Sequence, residues 1–208
     1  MTAMVIDWSE LFSPIYRHRT LIVWTIWATA YGVTNGLNNW MATLYTGVYK
    51  LPLQTALNAA LLTNATQVLV LLPCILVIDR VGRRAWMTMC FILGGLLLLP
   101  LGVFGADDVT NVMILVTLSY GIMSTVNTVL YLYTPEIYPT RMRAIGTAAG
   151  TCWLRAASAA GPLVVAFTME RAGIQPVFLM FAAIALLGAV AATQTIETRN
   201  RRLEEIAP

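Results

Sequence analysis

Residues 109–143 read VTNVMILVTLSYGIMSTVNTVLYLYTPEIYPTRMR. The first part, 109–133, is an uncharged and mostly apolar run. It is long enough for a helix to cross a bilayer core, which takes about 20 residues. The second part is polar, carries Glu136, Arg141 and Arg143, and has prolines at 135 and 139. Inside the run, Thr117, Tyr120, Ser124, Asn127 and Tyr131 recur at steps of three and four, which is one face of a helix. Polar groups are costly in hydrocarbon and face a bundle interior or a water-filled cavity. The stripe therefore reads as cavity lining on a membrane-spanning helix.

The same kind of run repeats on both sides. Five more apolar stretches, 21–45, 53–78, 85–104, 144–169 and 176–195, give six spans with short polar breaks. Pro52 and Pro176 stand where a helix start tolerates proline. Over its 208 residues the chain is 58% hydrophobic and 11% charged, with mean hydropathy +0.72. Soluble chains average about 45–50% apolar and about 25% charged. So few charges cannot coat a soluble globule, which excludes a soluble enzyme, a disordered tail and a nucleic-acid module. The inventory also argues against a metal or cofactor centre. The one histidine is His18, and the carboxylates do not cluster. Cys74, Cys90 and Cys152 lie in apolar runs and read as small buried apolar residues.

Charge fixes the expected orientation. Of the 13 Lys and Arg residues, Lys50 and Arg171 fall on one side of the spans and Arg155 lies inside the fifth; all the others share the side of both termini. Basic residues concentrate on the cytoplasmic side, so both termini are expected there.

Polar residues differ between spans. The first has Tyr31, Asn35 and Asn38 at i, i+4 and i+7, with Asn39 adjacent, and the fifth has Thr147, Thr151, Arg155 and Ser158 on one face. The second carries Gln54, Asn58, Asn64 and Gln67, whereas the third has only Thr88 and the sixth nothing polar before Thr193. Spans one, two, four and five are therefore expected to line a cavity, and spans three and six to face lipid. That is the 3+3 pattern of an inverted repeat. The competing reading is that these Asn, Ser and Thr side chains only bond helix to helix. The spacings Gly32-x-x-x-Gly36 and Gly146-x-x-x-Gly150 predict close helix packing. Arg155 stands twelve residues past Arg143, about 18 Å along a helix and too deep to reach the edge easily. It needs an acceptor: a carbonyl, a side-chain amide, a bound anion or a group on another segment, because no span has a carboxylate at mid-depth.

Two loops carry a family resemblance. Asp79-Arg80-Val81-Gly82-Arg83-Arg84 resembles the D-R-x-G-R-R loop of the major facilitator superfamily, and 135–143 resembles its P-E-x-Y-P-T-x-x-R element. The tail Glu197-Thr198-Arg199-Asn200-Arg201-Arg202-Leu203-Glu204-Glu205-Ile206 is similar to the P-E-T-K-G-x-x-L-E-E-I ending of sugar-porter-like members. The match is to the C-terminal half of a twelve-helix fold, with 1–19 similar to the end of the cytoplasmic linker, 20–195 as the six-helix bundle and 196–208 as a cytoplasmic tail. The resemblance implies an all-α membrane protein that works by alternating access, with a missing N-terminal six-helix half as companion. The implied cytoplasmic gate is Asp79, Arg83, Glu136 and Arg143.

Departures narrow the solute. The paired glutamines of hexose porters are absent from 30–39, their G-P-x-P-W-like stretch is replaced by Tyr131-Leu132-Tyr133-Thr134, and Ile196 and Asn200 replace Pro and Gly of the tail. An organic or aromatic acid is expected over a hexose. Asn35, Asn39, Tyr120, Asn127 and Arg155 are the expected solute-facing residues, with a proton or another ion as candidate coupling partner and the lipid bilayer as surroundings. No cofactor, metal or nucleic acid is expected. Two other readings are a self-standing six-span homodimeric channel or exporter, and a non-transporting fragment. A membrane enzyme is disfavoured, since no nucleophile–base pair is present.

Overall fold

The computed structural model of the chain describes residues 8–201. Residues 1–7 of the expected linker and 202–208 of the expected tail lie outside the described residues. Among the described residues there are six long helices and no strand: α1 Arg17–Thr43, α2 Leu53–Val81, α3 Arg83–Val103, α4 Val109–Glu136, α5 Arg143–Ala172 and α6 Gln175–Thr193. A 3₁₀ turn, Trp8–Phe12, precedes α1, and a π turn, Leu44–Val48, extends it.

Local chemistry sets the helix ends. Pro52 lies in extended geometry just before α2, where its missing N–H costs nothing. Gly82, at φ +97°, both ends α2 and starts α3, a conformation that side chains with a Cβ rarely adopt. The Asp108 carboxylate accepts from the Thr110 N–H at 2.9 Å and caps α4. Several helices overrun the expected spans: α1 starts at Arg17, α2 runs on to Val81 and α4 to Glu136. Hydropathy marks only the oil-soluble part of a helix, whereas backbone hydrogen bonding continues into the polar boundary.

Helices α2 to α6 are each long and apolar enough to cross a membrane. At 27 residues α1 has the length, but its threonines and asparagines make it more polar. Neighbours follow a simple rule. The chief partners of α3 are α6 and then α4, and those of α6 are α3 and then α1. In turn α1 packs on α5, α4 packs on α2, and α1 meets α4. Exchanging α1 with α4, α2 with α5 and α3 with α6 returns the same set of neighbours.

One expectation needs correction. Spans three and six do not simply face lipid; α3 and α6 form the tightest pair in the bundle, each about half buried. Glycines bring them together. Gly188 leaves no room for a methyl beside the Phe91 ring, nor Gly102 beside Leu179, and Gly95 lies against Ala185. The helices with most surface uncovered are α2 and α5. Leu61, Leu69 and Leu76 stand open on α2, and Leu163 and Phe167 on α5. A count of polar residues locates polar faces, not the apolar faces that another helix covers.

Candidate functional site

Close approach of α1 and α5 builds the centre of the open face. Gly150 sits under the Trp27 indole and Gly161 near Gly36, so these two parallel helices nearly touch. Beside this seam, the Asn35 amide donates to the Ser158 hydroxyl. On the other side of α1, the Asn127 amide donates to the Thr34 hydroxyl at 2.9 Å, and Thr34 donates to the Ala30 carbonyl at 2.8 Å. Asn127 is half-buried, and its carbonyl oxygen is buried with no partner among the described residues. Trp27 organises the aromatic groups: its indole N–H donates to Thr134 Oγ1 at 3.0 Å, Tyr31 stacks on it at 5.4 Å, and Tyr131 meets it edge-on at 4.9 Å. Sequence reasoning missed this indole, since nothing in the spacing marks one tryptophan among six as a hub.

Arg155 is exposed, and with the described residues it makes no ion pair or hydrogen bond. The acceptor expected for it is thus not found within the described bundle. It lies three residues before Ser158 on a helix parallel to α1, about 4.5 Å lower. That is the level of Tyr31 and Gly32, because Ser158 meets Asn35. Asn39 is also exposed and lines a groove of about 510 Å³ between α1 and α5, with Gly36, Trp40, Pro162 and Ala166.

Tyr120 corrects the sequence reading. It was expected to face a solute, yet it is 7% exposed and its hydroxyl donates to Gln67 Oε1 of α2 at 3.1 Å. Thr117 and Thr63 share a 2.9 Å hydrogen bond in the same seam, and Ser124 donates to the Gly121 carbonyl. The first part of the α4 stripe is therefore already engaged, Thr117 and Tyr120 with α2 and Ser124 with its own helix, and of the stripe only Asn127 and Tyr131 are not buried. A surface already covered within this chain stays covered when anything is added in this arrangement. Cys152 likewise differs from expectation: it is exposed, whereas Cys74 and Cys90 are buried.

A second polar cluster lies where α2 and α4 end and α3 begins. Arg83 donates through Nη1 to Asp79 at 2.7 Å and through Nη2 to Glu136 at 3.1 Å. The other Glu136 oxygen accepts from the Thr198 hydroxyl. The Glu197 carboxylate accepts from the backbone N–H groups of Arg83 (3.0 Å) and Arg84 (3.2 Å), so a tail residue caps the first turn of α3. Three of the four expected gate residues thus meet. Arg143 stands apart, donating from Nε to the Tyr138 carbonyl at 3.2 Å. Tyr138 is buried in the α4–α5 connection and shares a 2.9 Å hydrogen bond with Thr20; burial pushes its phenol up from the ordinary value, against the Thr20 bond and the Arg19 charge. Glu197 and Thr198 were absent from the expected site, although the tail motif that contains them was in view.

Comparison with known proteins agrees with this architecture. The family described as "Sugar (and other) transporter" matches residues 1–208. The synaptic vesicle 2-related protein of Xenopus laevis is 29% identical over 94% of this chain and 39% of its own length. The niacin transporter NiaP of Acinetobacter baylyi is 28% identical over 97% of this chain and 46% of its own. Organic anion transporter 3 of Sus scrofa is 36% identical over 62% of this chain. The chain spans less than half the length of each of these relatives. A helical bundle with apolar spans and a family match along its whole length leave one assignment: this is a multi-pass membrane protein, and it belongs to the sugar (and other) transporter family of the major facilitator superfamily.

Proposed function

We propose that this chain is one six-span half of a secondary transporter for a small organic solute, with an organic or aromatic acid favoured over a hexose. The observation that carries the reading is Arg155. It is a cation at mid-helix depth, exposed on α5, level with Tyr31 and beside the Asn35–Ser158 pair. A guanidinium recognises a carboxylate bidentately, and aromatic rings suit a flat apolar body. Two relatives are named for niacin and for organic anions, which supports the same solute class. Asn35, Asn39, Asn127 and Arg155 form the solute-facing set; Tyr120 drops out of it.

In this reading α1 counts as a span and both ends of the bundle face the cytoplasm. The exchange symmetry of neighbours supports a 3+3 inverted repeat. A companion covers the open faces of α2 and α5, either an N-terminal six-helix half or a second copy, and the two bundles rock about the site. The Asp79–Arg83–Glu136 cluster holds the cytoplasmic side shut and rearranges when that side opens, with Arg143 joining from the start of α5. No helix among those described carries a carboxylate at mid-depth, so a coupling carboxylate belongs to the companion.

The test is uptake of radiolabelled nicotinate, benzoate and glucose into proteoliposomes holding the chain with its companion half, and into others holding the chain alone. Saturable uptake of the aromatic acids, lost in Arg155→Gln, is the expected result. Activity of the chain alone would identify a second copy as the companion. Preferred glucose uptake, or unchanged acid uptake in Arg155→Gln, overturns the assignment of solute and site.

A further inference from the structure

A second groove lies on the far side of α5 from Arg155. Trp153 precedes Arg155 by two residues, about 200° around the helix, so the two point to opposite sides. Trp153 faces a groove of about 330 Å³, lined by Leu21, Trp24 and Ala28 of α1 and by Leu187 of α6. This is the apolar flank of the bundle, where Leu186, Leu187 and Val190 stand exposed. The groove offers no free hydroxyl. Thr25 donates to the Leu21 carbonyl at 2.9 Å, and Thr29 donates to the Thr25 carbonyl at 2.8 Å. Trp24 and Trp153 meet at 5.8 Å to form one wall, and Phe12, from the turn before α1, packs edge-on against Trp24 at 5.6 Å.

The charge at the mouth is distinct from this lining. Arg17, Leu21, Trp24 and Ala28 fall at i, i+4, i+7 and i+11, one stripe of α1. Arg17 therefore stands one turn beyond the groove, at the end where α1 leaves the membrane. It is exposed and pairs with no carboxylate among the described residues. Trp8, Phe12 and Ile15 are exposed nearby, as suits a segment lying at the headgroup boundary.

We propose that this groove is a binding site for one anionic phospholipid of the leaflet at the N-terminal end of α1. An acyl chain lies along α1 from Leu21 to Thr29, about 12 Å, between Trp153 and Leu187, and the headgroup phosphate pairs with Arg17. Two features favour a lipid over other occupants. The exposed lining is almost all apolar, so it holds water poorly. Arg17, exposed at its mouth and paired with no carboxylate among the described residues, is complementary to a phosphate.

The experiment is native mass spectrometry of the purified chain after incubation with equal amounts of phosphatidylglycerol and phosphatidylcholine. The expected result is one retained phosphatidylglycerol, favoured about fivefold, the discrimination that one arginine near a membrane surface supports. Arg17→Gln removes the preference while keeping a lipid. Ala28→Phe fills the groove and removes the adduct, whereas Leu163→Phe, the same bulk at an exposed site elsewhere, leaves it unchanged. Equal retention of the two lipids by the unaltered chain, or an unchanged adduct in Ala28→Phe, overturns the proposal. Folding of each variant is checked by helicity and by elution as a single species. Should Ala28→Phe misfold, the exposed Arg17→Gln variant decides alone, and an undiminished preference there overturns the headgroup assignment.

Discussion

Replacing Glu136 by Gln keeps shape and removes charge, so it weighs the Asp79–Arg83–Glu136 cluster directly. The Arg83 and Glu136 side chains are 12% and 18% exposed, whereas Asp79, the other partner of Arg83, is 77% exposed. Glu136 accepts from a guanidinium through one oxygen and from the Thr198 hydroxyl through the other. A hydrogen bond to a charged group contributes about 1.5–3 kcal/mol and a neutral one about 1 kcal/mol. Losing the charge on a mostly buried acceptor should therefore cost about 2 kcal/mol, or roughly 30-fold in the folding equilibrium. Asp79→Asn removes an exposed i,i+4 pair, worth about 0.3–0.5 kcal/mol. The check is equilibrium unfolding of the purified chain in mixed micelles, followed by tryptophan fluorescence at low and high salt. Salt should erase the Asp79 effect and leave most of the Glu136 effect. Equal costs for the two substitutions, or a Glu136→Gln cost below about 0.3 kcal/mol, would show that burial does not set the strength of this cluster.

Other expectations follow from single positions. Gly150→Ala would place a methyl 2.7 Å from Trp27 Nε1, and the indole must move off Thr134, so a loss of about 2 kcal/mol is expected in the same unfolding assay. Gly32→Ala meets nothing within 4 Å and should be neutral or stabilising by up to about 1 kcal/mol. Tyr120→Phe removes only the bond to Gln67: stability should fall by about 1 kcal/mol, while KM for the acid proposed as solute should stay unchanged because the phenol lies in a closed seam. Tyr49, in the α1–α2 connection, donates to the Ala106 carbonyl, and its phenol is pushed up from 10.0 to about 12, chiefly by burial and then by Asp107 and Asp108. The unfolded chain releases this proton first, so its stabilisation is whole below pH 10 and is lost as pH rises through about 12. Tyr49→Phe should flatten that part of the stability–pH curve.

The sequence made the helices legible and left their burial ambiguous. An apolar run bounded by Asp107-Asp108 and Pro135-Glu136 identifies α4 because length and polarity suffice for a spanning helix. The stripe from Thr117 to Tyr131 shows which side of α4 is polar. It cannot show whether that side meets water or the polar side of another helix, since both satisfy the same hydrogen-bonding demand. Tyr120 went to Gln67 and Thr117 to Thr63, while half-buried Asn127 kept a buried oxygen with no partner among the described residues. Small-residue spacing worked for Gly36, Gly146 and Gly150, each pressed against a ring, but not for Gly32, which has open space. The pairing of α3 with α6 had no polar marker, because shape complementarity between glycine and phenylalanine leaves no periodic trace. The Asp79–Arg83–Glu136 cluster was legible through motifs that fall at the ends of the apolar runs. Its closing contacts from Glu197 and Thr198 depend on where the end of α6 comes to rest, which no spacing within one segment encodes.

Those two adjacent tail residues fasten different parts of the bundle. Glu197 grips the first turn of α3 through its backbone, and Thr198 reaches the carboxylate at the end of α4. Tyr133 adds a third rivet, its hydroxyl exchanging hydrogen bonds with both backbone groups of Ile196. The feet of α3, α4 and α6 are therefore bolted into a single plinth. Sliding or tilting any one of them alone shears several bonds at once, so these three helices are expected to shift as one block.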